Sequence, residues 1–153
     1  MPIDLPSSTE PGGKRLAKSL ASSGLRFTRQ RQHIYDVLME SHDHPTAEDV
    51  FVRAQQSMPE ISFATVYNSL SVLVECGLVR QVILDRTCTR FCPNMEEHYH
   101  FYCEVCGQVS DIEVSKARTA SEFPLPEGFL VSRYDLSLKG TCPKCRSQKA
   151  SSR

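Results

Sequence analysis

His98-Tyr99-His100-Phe101-Tyr102-Cys103-Glu104-Val105-Cys106 places two histidines and two cysteines within nine residues, the cysteines at C-x-x-C spacing. A second C-x-x-C, Cys142-Pro143-Lys144-Cys145, stands near the far end of the chain. Two such knuckles separated by a folded segment predict a structural zinc site on Cys103, Cys106, Cys142 and Cys145, with four thiolates in tetrahedral array. The two histidines are not needed for that site. On a strand, residues at i, i+2 project to one face, so His98 and His100 are either surface histidines or half of a second, regulatory metal site. Cys92, close by, favours the metal.

Around this stretch the pattern is that of a small mixed unit. Residues 101–103 and 109–114 read as strands, 115–122 as a short helix limited by Pro124 and Pro126, and 129–138 as a long strand. A unit of roughly sixty residues buries too little apolar surface to be comfortable without staples. The zinc site would supply them by tying the first strand to the last. An exposed strand edge in so small a unit also invites pairing with a second copy, which predicts a homodimer.

Upstream the periodicity is helical. Leu16 and Leu20 share a face of a short helix closed by Gly24, and Thr28 caps a helix to about residue 41 with Ile34, Val37 and Leu38 inward. Thr46 caps a third helix carrying Val50, Phe51 and Ala54. Ser62 caps a fourth, with Val66, Leu70 and Leu73 inward and Gly77 as its stop. Residues 79–84 and 89–92, joined through Asp85-Arg86-Thr87, read as a β-hairpin. Helices, a helix-turn-helix and a hairpin wing predict a winged helix, whose second motif helix enters the major groove. Thr65, Tyr67, Asn68 and Ser69 would then face bases, while Arg26, Arg29 and Arg31 grip phosphate. The fold class expected is α+β. A leader at 1–12 precedes a winged-helix DNA-binding domain at 13–92, a small α/β dimerisation and metal-binding domain at 93–146, and a basic tail at 147–153.

Composition is compatible with this. The 153 residues are 40% hydrophobic and 24% charged, with no formal net charge. Distribution says more than the sum, since six basic residues and no acidic one lie between Lys14 and Arg31. No apolar run approaches the ~20 residues of a membrane span. The leader lacks the apolar core of a signal peptide, so a cytoplasmic location is expected. In a reducing compartment seven cysteines favour metal or redox chemistry over a disulfide scaffold.

The stretches LRFTRQRQHIYDVL, HPTAEDVF, ISFATVYNSLSVLVECGLV, RFCPNMEEHYHFYCEVCG and CPKC, in that order over roughly residues 24–145, resemble the ferric uptake regulator family of bacterial metal-dependent repressors. The resemblance implies an N-terminal winged helix, a C-terminal dimerisation domain and a regulatory metal at the hinge. It also implies a double-stranded, near-palindromic DNA operator. It matches Cys103, Cys106, Cys142 and Cys145 to structural zinc ligands. His44, His98, His100 and Asp111 match regulatory ligands, and Tyr67 falls at a base-contacting position. Cys92 departs from the carboxylate usual in iron- and peroxide-sensing members and resembles the zinc-uptake branch. A thiolate among imidazoles suits zinc, as carboxylate-rich sites suit iron or manganese. HPTAEDVF and ATVYN, by contrast, look closer to the peroxide-sensing branch. Zinc is therefore the favoured regulatory metal, with iron or manganese and peroxide sensing as the alternative.

Two other classes compete. A zinc deaminase needs H-x-E beside its C-x-x-C, and Tyr99 and Phe101 flank His100 here. A Ser-His-Asp hydrolase needs a G-x-S-x-G elbow, which the chain lacks. An enzyme is not expected. A zinc-ribbon adaptor for protein partners would use the knuckles but leave Cys92, His98, His100 and the winged-helix pattern without a purpose.

Overall fold

Four helices open the chain, each starting where its capping chemistry allows. The computed structural model describes residues 12–84, 88–113, 124–132 and 134–151. Helix α1 is Gly12–Ser22, α2 Arg29–Glu40, α3 Ala47–Ser57 and α4 Phe63–Glu75. The Thr28 hydroxyl accepts from the Arg31 N–H, and the Ser62 hydroxyl from the Thr65 N–H. Thr46 and Asp49 form a reciprocal capping box, satisfying backbone donors the helix itself leaves open. Gly77, at φ +68°, lets the chain leave α4 through a left-handed turn.

Helices α3 and α4, joined by the turn through Met58 and Ile61, form the helix-turn-helix, and α2 packs on both. Leu16, Leu20, Ile34, Leu38, Val50, Val66, Leu70 and Leu73 are almost wholly buried in one core. Tyr35 joins them where Val37, expected inward, is only half-buried. Strands β1 (Arg80–Val82) and β2 (Arg90–Cys92) pair antiparallel with Arg80 opposite Cys92, forming the wing. They are shorter than the pattern suggested, and the tip at 85–87 lies outside the described residues.

The chain divides into two units, Met1–Met95 and Glu96–Arg153, three residues later than the boundary drawn from sequence. In the second, β3 (His98–Cys103) is the central strand of three. It pairs antiparallel with β4 (Val109–Glu113) and parallel with β5 (Ser137–Gly140). Helix α5, Pro143–Ser151, follows. The fold is α+β, with an N-terminal winged helix and a small C-terminal α/β unit.

Three sequence expectations need correction or fall elsewhere. Among the described residues the strand expected over 129–138 is a strand only from Ser137, where the parallel ladder begins opposite His100. Phe129 and Leu130 are exposed instead. Most of the expected basic tail is helical, as Pro143 opens α5 with the fixed φ and missing N–H suited to a first helical position. Gly12, placed in the leader, already begins α1; residues 1–11 and the helix expected at 115–122 lie outside the described residues. Among the described residues no helix is long and apolar enough to cross a membrane.

The two faces of α4 should respond differently to truncation. Leu70→Ala, at a wholly buried site, should lower unfolding free energy by about 2–5 kcal/mol in urea titration. Tyr67→Ala, on the exposed face, should change it by no more than ~0.5 kcal/mol.

Candidate metal centre

In the C-terminal unit the sulfurs of Cys103, Cys106, Cys142 and Cys145 lie within 4.8 Å of one another. Cys103 ends β3, and the chain then turns tightly, with the Gly107 N–H bonded to the Cys103 carbonyl and Gly107 at φ +73°. β5 runs beside β3 in parallel, with Gly140 opposite Cys103, so the chain beyond β5 delivers the second knuckle to the first. Cys142 precedes α5 and Cys145 lies in its first turn. Three of the four thiols are buried and Cys106 is exposed.

The bare thiols are electrostatically unequal. Backbone N–H groups of Cys106 and then Cys142 hold the Cys103 thiol down at about 6; the Cys142 N–H lies 3.3 Å from its sulfur. Cys145 is pushed up to about 12, first by its hydrogen bond with the Cys142 thiol. One thiolate, that of Cys103, forms readily at neutral pH, and its neighbours oppose a second charge on Cys145. A thiophilic dication would displace the remaining protons. The donor set fits zinc.

A second group of donors belongs to the N-terminal unit. His44 and Cys92 offer ligand atoms within 4.8 Å of each other, and both are buried. The wing brings them together, because β2 pairs with the chain before α3. The Phe91 N–H bonds to the Pro45 carbonyl, Thr46 bridges Arg90, and the Arg90 guanidinium donates to the His44 carbonyl at 3.1 Å. The Cys92 thiol faces the Asn94 carbonyl at 3.8 Å. His44 sits at φ +53°, a region few residues with a side chain adopt.

The C-terminal unit holds a third group. His98 and His100 project from one face of β3, and the ladder sets Asp111 opposite His100. The two Nε2 atoms are 2.9 Å apart, with Asp111 Oδ1 at 3.2 Å from His98 and 3.5 Å from His100. His98 Nδ1 lies 2.6 Å from the Glu96 carbonyl. A carbonyl only accepts, so Nδ1 is the donor and neutral His98 keeps its Nε2 lone pair for a ligand. Glu113, opposite His98 in the same ladder, stays exposed and outside this cluster.

Of the residues expected to meet DNA, Tyr67, Asn68, Arg26 and Arg29 are exposed, whereas Thr65 and Arg31 are half-buried. Arg31 donates to the Arg26 carbonyl. Ser69 corrects the sequence reading. It is buried, and its hydroxyl donates to the Thr65 carbonyl at 2.7 Å, so it cannot face a base. Phe63, which sequence reasoning passed over, is exposed between Phe51 and Tyr67, with ring centroids at 5.6 and 6.4 Å. Its position one residue after the Ser62 cap was the available signal.

The sequence profile of the Ferric uptake regulator family matches residues 22–139. The peroxide-responsive repressor PerR of Staphylococcus epidermidis is 33% identical over 131 residues, covering 85% of this chain and 87% of its own. Among solved structures, the Campylobacter jejuni peroxide stress regulator is 26% identical at a TM-score of 0.64, covering 89% of this chain and 100% of its own. The Helicobacter pylori ferric uptake regulator shares the fold at 21% identity and a TM-score of 0.66, covering 87% and 90%.

Cobalt(II) should report the four-cysteine cluster directly. In a Cys92→Ser background, titration should give thiolate-to-cobalt charge-transfer absorption with proton release. Cys142→Ser should diminish that absorption, and His98→Ala should leave it intact.

Proposed function

The chain belongs to the ferric uptake regulator family of metal-dependent transcriptional regulators, and on that premise we propose a cytoplasmic, homodimeric repressor whose DNA binding is switched on by zinc. Cys103, Cys106, Cys142 and Cys145 hold a structural zinc. His44, Cys92, His98, His100 and Asp111 hold a second, regulatory ion. The observation that carries the zinc reading is Cys92, a buried thiol within 4.8 Å of a His44 donor atom. Sulfur and imidazole donors suit tetrahedral zinc. Among the described residues, His44 and Cys92 belong to one unit and His98, His100 and Asp111 to the other, and the six residues from Cys92 to His98 can span at most ~22 Å.

The ion acts by population shift. It favours the arrangement that fits successive major grooves by its differential affinity for the two states. A coupling of ~1–3 kcal/mol gives roughly 5–150-fold in DNA affinity. Tyr67, Asn68 and Thr65 meet bases of a near-palindromic duplex, while Arg26, Arg29 and Arg31 meet phosphate, so binding falls steeply with salt. Ile112 and Leu138 are exposed on the outer strands of a sheet that, among the described residues, ends at β4 and β5, which supports pairing with a second copy.

A second reading is an iron- or manganese-loaded peroxide sensor. The peroxide-responsive relatives favour it, as does the Asp111 carboxylate beside both histidines. Binding to duplexes selected from a random pool separates the two, titrated first with buffered zinc and then anaerobically with ferrous iron or manganese. Zinc alone should switch binding on, and Cys92→Ser should abolish the switch in a protein that remains a folded dimer. Cys103→Ser should instead unfold the C-terminal unit and lose the dimer. Activation by iron, followed by peroxide oxidation of His44 or His98, would overturn the zinc reading. Unfolding by both cysteine variants alike would overturn the division into structural and regulatory sites.

A further inference from the structure

The geometry points to Arg53 as the positioning residue that holds His44 ready for the regulatory metal, an inference that rests on His44 being a ligand as proposed above. Arg53 lies in the middle of α3, well away in sequence from every donor. Its guanidinium makes a two-pronged pair with Asp43, Nη1 to Oδ1 at 2.8 Å and Nη2 to Oδ2 at 2.6 Å. Nη1 also donates to the Ser41 hydroxyl at 2.9 Å. That hydroxyl in turn donates to the Val37 carbonyl at 2.7 Å, in the last turn of α2. One side chain thus ties the end of α2, the loop and α3 together around the residue before His44.

The loop needs such a tie. His44 is the one non-glycine residue at positive φ among the described residues, and it precedes Pro45, whose ring disfavours helical backbone in the residue before it. Backbone in this region persists only where its surroundings over-determine it. Arg90 and Phe91 fix the His44 and Pro45 carbonyls from the C-terminal side, and Arg53 through Asp43 is the restraint on the N-terminal side. A planar fork matches a carboxylate in a way an ammonium cannot. Lysine at this position could keep the charge but not the geometry.

The test uses the full-length dimer with its four-cysteine zinc retained, and reads regulatory zinc affinity by competition with a chelator of known strength. Arg53→Gln should weaken affinity by ~10–100-fold, the usual effect of losing a group that orients a ligand, and Arg53→Lys should recover only part of it. Melting temperature of the metal-free protein should barely move, because the pair is solvent-exposed. Amide exchange at Asp43, His44 and Thr46 should quicken in the same metal-free sample. In a His44→Ala background Arg53→Gln should cost nothing further. A loss of affinity that persists in that background overturns the inference and leaves His44 as a ligand. Unchanged affinity in Arg53→Gln does the same. If His44→Ala itself leaves zinc affinity intact, both this inference and the ligand reading fail. If Arg53→Gln unfolds the protein, Asp43→Asn carries the same comparison.

Discussion

Among its described residues the C-terminal unit has three short strands and one helix, little with which to bury apolar surface, and four thiols gather between the end of β3 and the start of α5. Among the described residues the buried cluster of this unit is Cys103, Cys142 and Cys145, with Phe101 packed against it. At about 0.05–0.15 kcal/mol per residue, a unit of roughly sixty residues would hold only ~3–9 kcal/mol of net stability. A structural zinc on such a site is worth about 10–16 kcal/mol in peptide systems. A metal held there would exceed the whole margin, and the meeting of the knuckles would then set the pairing of β5 with β3 as much as the reverse. The face carrying His98, His100 and Asp111 inherits its register from that same ladder.

The N-terminal unit is built on the opposite principle. Caps, periodicity and glycine stops agree with one another from α1 to α4, and a conventional core closes beneath them. The agreement breaks at residue 44. A side-chain-bearing residue before proline, at φ +53°, opposes its own local preference. The surrounding bonds from Arg53 and Arg90 and the pairing of β2 with the chain before α3 are what outweigh it. Such conflict is expected where a donor must be presented rather than merely packed.

Much of this was legible in the chain. Four helix starts could be read from Thr28, Thr46 and Ser62 with the Leu16/Leu20 spacing, because capping and burial are local and act at fixed offsets. The knuckles were legible for the same reason. What failed depended on partners distant in sequence. The apolar alternation over 129–138 looked like a strand, but among the described residues only the end that pairs with β3 from His100 onward becomes one. Ser69 sits near the polar residues of α4 in sequence, yet the helix turns it inward to serve the Thr65 carbonyl. The left-handed backbone at His44 and the Arg53 fork were invisible, since nothing in HPTAEDVFVR announces that an arginine ten residues on reaches back to Asp43.

The ligand set proposed for a second ion mixes hard and soft donors, and burial weighs between them. Asp111 keeps a third of its side chain in solvent while its Oδ1 lies beside both histidines. Cys92 has almost no exposure. A thiolate formed at that site has no water to stabilise it, and burying an unpaired charge is costly. A buried cysteine beside a histidine donor therefore either stays protonated and inert or ionises against a cation that binds sulfur. Zinc meets that demand better than iron or manganese, which draw their affinity from oxygen. The peroxide-responsive relatives and the Asp111 carboxylate pull toward the harder metals, and the Cys92 sulfur pulls toward zinc. On the proposed ligand set Cys92, more than the histidines, which suit either kind of metal, is the residue that would separate the two readings.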